Sequence, residues 1–504
     1  MVSIPFHDFD EAHRAENAKK MAEYKSFLVP LTGSSFDRVH NLRIPLKENR
    51  DLHLYYHLER PPLVYILMII SISLFGNDEW AYRLPSFLLG LVTVGVFYFF
   101  AKKEIKDNVL PLFVGLVAIL TSADLWLSSQ YAQMDTGITL FLFASLLTLI
   151  YSYKFSKPYL VYLSGVFLGL GLLSKLQPSV IFIFPLLFLI FKKKLSLGDL
   201  FKLILGALLV FLPWILYLIF RFGIQNVFYI MPGFALTSAS VVDIHHQAPF
   251  FWYIRWWWDS LRPGWSLFLA FLIFDFYKKK LSWEKFTLLG YIFGGLIAFS
   301  LSANKLWWYV LPIIPAVAYF VFLSAKDYIE KTPERLNNLS TALILLSLPM
   351  FLQESNMTSL LYGVTITAIS FLIIKTESSI INSRTISKKT FFYFAIIVSL
   401  ISFYPHFPKI VPYHWNTKAV AIFYKDLPGK KCLWTGDMPQ EAVLFYSNAG
   451  EINLLKEDSV LFASCPNNYL ITPEKFNEGK LLLRQGNIRL YQLTDLYSRL
   501  PPSP

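Results

Sequence analysis

The sequence predicts an α-helical polytopic membrane protein of about twelve spans, with a small C-terminal α/β domain outside the bilayer. Three observations carry that class. Of the 504 residues, 55% are apolar and only 16% charged, against about 45–50% apolar and about 25% charged in soluble domains. Aromatics reach 17% and the mean hydropathy is +0.46, so lipid is the main solvent. The net charge of +12 falls in short blocks between apolar runs, such as Lys192-Lys193-Lys194 and Lys278-Lys279-Lys280. Cytoplasmic loops of membrane proteins have this pattern, so nucleic acid is excluded as a partner.

A bilayer-crossing helix takes roughly 20 mostly apolar residues. Such runs lie at 83–101, 109–128, 137–153, 157–174, 177–191, 199–220, 264–277, 286–302, 306–323, 338–352, 357–374 and 390–404. Lysines and arginines in the loops fix their orientation. With residues 1–82 outside, the inner loops hold twenty basic residues, from Lys102 and Lys103 to Lys388 and Lys389, and the four short outer loops hold two, Lys175 and Lys305. That solution requires the apolar run Pro61–Gly76, with its two leading prolines, to lie in the interface without crossing. It divides the chain into an outer-face segment 1–82, a transmembrane domain 83–404 with a long outer loop 221–263, and an extracytoplasmic α/β domain 405–504.

All nine histidines then fall outside, with Asp10, Glu11, Glu59 and Asp135. In the C-terminal segment, strand-like runs Cys432–Thr435, Ser459–Ala463 and Tyr469–Thr472 alternate with a helical run, Pro439–Asn448. A hairpin over Leu481–Leu493 turns at Gln485-Gly486-Asn487. Two cysteines, Cys432 and Cys465, rule out a disulfide scaffold or a four-ligand zinc cluster; an oxidising compartment would let them pair. No signal peptide, repeat or low-complexity tract is present. Met1 stands close before an acidic pair, an abrupt start that leaves room for a missing first membrane helix.

Five constellations carry chemistry. Asp10-Glu11 precede a helix-like stretch, His13–Tyr24. They read first as acids at a helix start, and alternatively as a general base for an acceptor hydroxyl. Glu59-Arg60-Pro61-Pro62 is an ion pair at a membrane edge, or places the Arg60 guanidinium for bidentate bonding to phosphate. Asp135, in Gln133-Met134-Asp135-Thr136-Gly137, caps a helix, helps a base, or holds a divalent ion through oxygen. Lys175 and Lys305 either snorkel from helix ends or hold an anionic lipid carrier on the face that positive charge otherwise avoids. Loop 221–263 contains His245-His246, Arg255 and clustered tryptophans; interfacial belting explains most of the aromatics. Adjacent histidines point about 100° apart on a helix, which argues against zinc at this pair alone.

Together these pieces resemble the lipid-linked glycosyltransferases of the GT-C superfamily, in particular the aminoarabinose transferase of lipid A and bacterial relatives of dolichyl-phosphate-mannose protein mannosyltransferases. The Asp-Glu pair, Glu59-Arg60-Pro61-Pro62, Leu74-Phe75-Gly76, Arg83-Leu84-Pro85-Ser86, Asp135, Lys175, His245–Tyr253 and Lys305-x3-Tyr309-x2-Pro312-x2-Pro315 match in order, over most of residues 1–320. The resemblance implies an inverting transfer of a sugar from undecaprenyl or dolichyl phosphate to lipid A, a protein or a glycan, at the outer face of the cell membrane. Asp10, Glu11 and Asp135 would form the catalytic group. Arg60, Lys175, Lys305 and Arg255 would bind the donor phosphate, and Glu59, His245, His246 and Tyr309 would support them. The chemistry demands no cofactor, and a divalent ion on Asp10, Glu59 and Asp135 is the open addition. Three departures stand out. The family has one more membrane helix before the Asp-Glu loop, Arg60 replaces a lysine, and Leu176-Gln177 replaces a glycine.

The class also makes physical sense without the family. A lipid phosphate is the leaving group, so no nucleotide-binding fold is needed, and neither P-loop nor GxGxxG occurs. A transporter or lipid flippase would share the span count. It would carry charged or broken segments at mid-membrane, in two related halves, whereas the span interiors here are almost free of charge; Asp275, near an inner end, is the nearest exception. A non-catalytic assembly subunit would not need outward acids near outward bases.

Overall fold

The computed structural model of the chain describes residues 6, 9–32, 44–45, 54–105, 128–230, 248–254, 262–277, 279, 281–302, 304–331, 415–429, 431–435, 440–447, 452–454, 467–476 and 479–493. The spans expected at 109–128, 338–352, 357–374 and 390–404 lie outside these residues, save Ser128, as does the strand expected at Ser459–Ala463.

The chain opens with α1 (Phe9–Glu23), whose first turn holds Asp10 and Glu11 and whose last holds Lys20, matching the helix dipole at both ends. Its small apolar side chains recur every third residue: Ala12, Ala15, Ala18 and Met21 enter a shared core. A three-stranded sheet of two-residue strands follows, β1 (Leu31–Thr32), β2 (Ile44–Pro45) and β3 (Tyr55–Tyr56), with β3 central and both pairings antiparallel. Strands this short carry no readable period, and the sequence did not announce them.

The run expected to lie in the interface is α2 (Leu63–Phe75), 13 residues ending at Gly76, whose φ is +90°. Thirteen residues rise about 20 Å, short of the roughly 30 Å hydrocarbon core. One side of α2 is buried (Val64, Tyr65, Met68), and Ile70, Leu74 and Phe75 are exposed.

The membrane body comprises α3 (Glu79–Glu104), α4 (Asp135–Lys154), α5 (Tyr159–Ser174), a 3-10 turn (Gln177–Phe182) running into α6 (Ile183–Phe191), α7 (Leu197–Phe222), α8 (Arg262–Tyr277), α9 (Trp283–Leu301), and a second 3-10 segment (Trp307–Ile313) running into α10 (Ile314–Lys331). Among the described residues five helices are long and apolar enough to cross a membrane: Glu79–Glu104, Asp135–Lys154, Leu197–Phe222, Trp283–Leu301 and Trp307–Asp327. Helix α4 is buried nearly throughout and forms the axis of the body. Helix α7 is its opposite, with Leu205, Leu208, Leu209, Leu212 and Leu216 all exposed, as suits a lipid-facing helix. Small residues bring α5 and α7 together. A Cβ at Gly206 would stand 2.3 Å from the Tyr162 carbonyl oxygen, and one at Gly165 would stand 2.1 Å from that of Leu203. Close backbone approach of this kind replaces the hydrophobic driving force that lipid removes.

One end of the body is stitched by charge. Glu104 accepts from Lys154 at 2.6 Å and from Lys326 at 2.9 Å, and Lys285 lies between Asp275 at 2.7 Å and Asp327 at 2.9 Å.

The C-terminal unit holds α11 (Trp415–Asp426), β4 (Cys432–Thr435), α12 (Gln440–Ser447), β5 (Ile452–Leu454), β6 (Asn468–Thr472), β7 (Gly479–Gln485) and β8 (Ile488–Leu493). Its sheet order is β5-β4-β6-β8-β7, parallel across β5, β4 and β6 and antiparallel from β6 to β7. The expected hairpin turns on Gly486, whose φ is +58°, the glycine-first arrangement of a two-residue hairpin loop. Helix α11 and strand β5 lie outside the elements the sequence suggested. Cys432 is disulfide-bonded; the chain's other cysteine, Cys465, lies outside the described residues.

Candidate active site

The end of the body opposite the Glu104 network gathers charge from distant stretches. Helix α1 brings Asp10 and Arg14, the segment before α2 brings His57, Glu59 and Arg60, α4 opens on Asp135, and α5 closes on Lys175. Lys175 leaves the helix in an extended conformation, φ −162° and ψ 131°. Its Nζ donates to Asp135 Oδ1 at 2.8 Å. Asp135 is fully buried, and a buried carboxylate needs such a counter-cation. Burial pulls the Lys175 pKa below the ordinary lysine range, while Asp135 pulls it back up.

This pair belongs to a larger cluster. The Arg14 guanidinium donates to Asp10 Oδ2 at 3.2 Å. Lys175 feels the charges of Arg14 and Asp10 besides that of Asp135. The Tyr309 hydroxyl interacts with Asp135, Asp10, Arg14 and Arg60, and its ring centre lies 5.1 Å from Lys175 Nζ. Five of the expected site residues, Asp10, Arg60, Asp135, Lys175 and Tyr309, therefore share one electrostatic neighbourhood. Arg14 joins them; its signal in the sequence was its i+4 spacing from Asp10.

Glu11 has a different setting. It is fully buried and accepts from Arg83 Nε at 2.7 Å, from a second Arg83 nitrogen at 3.0 Å, and from the Ala132 amide at 2.9 Å. It thereby ties α1 to α3 and to the turn that leads into Asp135. Glu59 accepts from His57 Nδ1 at 2.9 Å and stands 4.0 Å from Arg60 Nε. The His57 ring meets that of His13 at 5.6 Å. Lys305 Nζ donates to the Ser302 carbonyl at 2.8 Å, and burial lowers its pKa. The Tyr253 hydroxyl donates to the Leu306 carbonyl at 3.1 Å, tying residues 248–254 to the start of the 3-10 segment that carries Tyr309. His245, His246 and Arg255 lie outside the described residues.

Each of the three carboxylates considered for a divalent ion has a nitrogen partner of its own. Asp10 faces Arg14, Glu59 faces His57, and Asp135 faces Lys175. Among the described residues no group of three or more His, Cys, Asp or Glu side chains forms a metal site. What the cluster offers is cations beside carboxylates in a low-dielectric setting. Such a place can hold a phosphate and take a proton.

The family model described as dolichyl-phosphate-mannose-protein mannosyltransferase matches residues 59–217, a stretch holding Glu59, Arg60, Arg83, Asp135 and Lys175. The undecaprenyl phosphate-alpha-4-amino-4-deoxy-L-arabinose arabinosyl transferase of Aeromonas hydrophila is 25% identical over 302 residues, covering 55% of this chain and 52% of the relative. An uncharacterised protein of Aquifex aeolicus is 26% identical over 360 residues, covering 68% and 64%. The chain thus spans between about half and under two thirds of the length of these relatives. Among solved structures, ArnT from Cupriavidus metallidurans bound to undecaprenyl phosphate superposes with a TM-score of 0.66 at 13% identity, covering 97% of this chain and 94% of that one. The apo state gives 0.65 at 14%; at such identities the likeness is one of fold. The chain is thus similar in sequence over more than half of its length, and in fold over nearly all of it, to aminoarabinose transferases of the GT-C superfamily.

Proposed function

We propose that this protein is an inverting glycosyltransferase that moves a sugar from a polyprenyl-phosphate donor to an acceptor hydroxyl at the extracytoplasmic face of the cell membrane. The observation that carries the reading is the buried Asp135–Lys175 pair, with Asp10, Arg14, Arg60 and Tyr309 around it. Undecaprenyl-phosphate aminoarabinose is the donor that the curated relatives' names favour; lipid A, a protein or a glycan would each serve as acceptor by the same chemistry.

The acceptor oxygen attacks the anomeric carbon as the bond from that carbon to the phosphate oxygen breaks. Asp10, whose side chain is 25% exposed, takes the acceptor proton, and Arg14 holds that carboxylate in place. The electron pair leaves with the lipid phosphate, where Lys175 and Arg60 balance the growing charge. Asp135 sets the position of the Lys175 ammonium. No nucleotide site is needed, because the donor arrives already activated on its lipid.

The test is transfer of radiolabelled sugar from undecaprenyl phosphate by the full chain in membranes, comparing wild type with Asp10→Asn and Lys175→Ala. Loss of a general base lowers rates by roughly 10²–10⁴-fold, and loss of the phosphate cation should fall in a similar range. Full activity in Asp10→Asn removes the base assignment. Transfer from a nucleotide sugar but never from a lipid donor removes the class.

A further inference from the structure

Around the start of α4 stand buried polar groups without a hydrogen-bond partner among the described residues. Gln133 is completely buried, and neither its amide nitrogen nor its amide oxygen has a hydrogen-bond partner among the described residues. The same holds for Asp135 Oδ2 and for the hydroxyl of fully buried Tyr65. The Gln133 main chain, by contrast, is pinned. Its N–H reaches Ser86 Oγ at 3.0 Å and the Tyr131 carbonyl at 2.8 Å, and its carbonyl accepts from Ser86 Oγ at 2.9 Å and from Thr136 Oγ1 at 3.2 Å. Tyr65 belongs to the same place. A Cβ built on Gly137, in the first turn of α4, would stand 3.0 Å from Val64 Cγ2 and 3.0 Å from Ser174 Oγ. The neighbours of Tyr65 and of Lys175 therefore meet at the start of α4.

A buried amide with donors and acceptor both idle weakens a fold, and an apolar side chain of the same length would serve packing better. The chemistry that answers an idle amide, a carboxylate oxygen and a phenol is a ligand carrying several groups that both donate and accept. A sugar ring is such a ligand. In the donor it is joined to the phosphate through a single oxygen, so it must lie directly beside whatever Lys175 holds.

We infer that Gln133, together with Asp135 Oδ2 and Tyr65, hydrogen-bonds the transferred sugar, and that Gln133 sets which sugar is accepted. The inference rests on the transfer reading above and specifies the part of that site which meets the sugar. A site built to pair polar groups rejects substrates lacking them more sharply than an apolar pocket does.

The experiment uses the full chain in lipid nanodiscs with three probes: undecaprenyl phosphate, undecaprenyl-phosphate 4-amino-4-deoxyarabinose and undecaprenyl-phosphate mannose. Gln133→Met should raise the thermal midpoint of the lipid-free protein and leave binding of bare undecaprenyl phosphate within about twofold. It should weaken the preferred sugar-loaded lipid by about tenfold, the value of one hydrogen bond, and narrow the ratio between the two sugars. An unchanged ratio, or equal weakening of the bare phosphate lipid, overturns the inference. Should Gln133→Met fail to fold, Gln133→Glu replaces the amide donors at constant size and should shift preference several-fold toward the amino sugar; an unshifted preference overturns the inference. A wild type that binds and transfers from no polyprenyl lipid retires the transferase reading itself. An active wild type with a silent Gln133 retires only the assignment of that residue.

Discussion

Lys175 is a cation held where burial opposes its charge, which makes alkaline pH its natural probe. Its folded pKa lies below the unfolded value because of burial, with Asp135 acting in the opposite direction. Between the two pKa values the unfolded chain carries the extra proton, so this group's contribution to stability grows as pH rises toward the unfolded value. Phosphate binding has the opposite sign, since it needs the ammonium. Donor affinity should therefore fall on the alkaline side, below the pH at which an exposed lysine titrates, without a matching loss of stability. Asp135→Asn removes the carboxylate that supports the charge and should move that limb to lower pH, as measured by donor binding against pH. A limb that stays in place would show that Lys175 is not the cation on the phosphate. The Glu11–Arg83 clamp makes a second residue-scale prediction. Arg83→Ala strands a buried carboxylate and should cost about 3–5 kcal/mol, whereas Glu11→Gln keeps an acceptor for Arg83 and should cost clearly less, as measured by thermal unfolding in bilayer mimetics. Neither partner could be matched from the sequence, because 72 positions separate them and only the fold brings α3 to α1.

At the scale of elements, α1 is unusual. Glu11, His13, Arg14, Glu16, Asn17, Lys19 and Lys20 are all buried on one 15-residue helix. Burial of that many polar groups demands polar partners on every side, and those partners include Arg83, the Ala132 amide and the Phe445 carbonyl. Long apolar helices were legible because length and composition alone decide them, and α3, α4, α7 and α9 fall within a few residues of the runs read from the sequence. The 3-10 stretches Gln177–Phe182 and Trp307–Ile313 were not legible. Each contains proline, and prolines removed the amide donors that a continuous α-helix would have used. Hydropathy does not register that change of winding. The packing of α5 on α7 gives the element-scale prediction. Gly206→Val drives a side chain into the Tyr162 backbone, which cannot retreat, and should destabilise by about 1–3 kcal/mol, lowering the thermal midpoint. Gly95→Val, on α3 with open space around it, should leave the midpoint nearly unchanged.

At the scale of the whole molecule, the C-terminal unit is fastened to the helix that carries the acids. Lys19 Nζ donates to the Phe445 carbonyl at 3.1 Å, the Phe6 amide donates to the Tyr446 hydroxyl at 3.0 Å, and that hydroxyl donates to Glu79 at 3.0 Å. Lys418 also reaches Glu79. The unit and the site therefore share one end of the body, and the Glu104 and Lys285 networks occupy the other, with Lys192, Lys193 and Lys194 at the end of α6. Two independent physical arguments bear on the compartments of these ends. Loop lysines favour the cytoplasmic side, and a disulfide such as that of Cys432 persists in an oxidising compartment. On the proposed reading the site and the C-terminal unit lie outside, in line with both. Exposed Lys480 in β7 and exposed Lys193 allow a direct check, because Cys432 is already engaged under non-reducing conditions. A membrane-impermeant maleimide should label Lys480→Cys in intact cells and Lys193→Cys only after permeabilisation. The reverse pattern would put the acids and cations in the cytoplasm, where a nucleotide-activated donor would meet them first, and the lipid-donor reading would lose its reason.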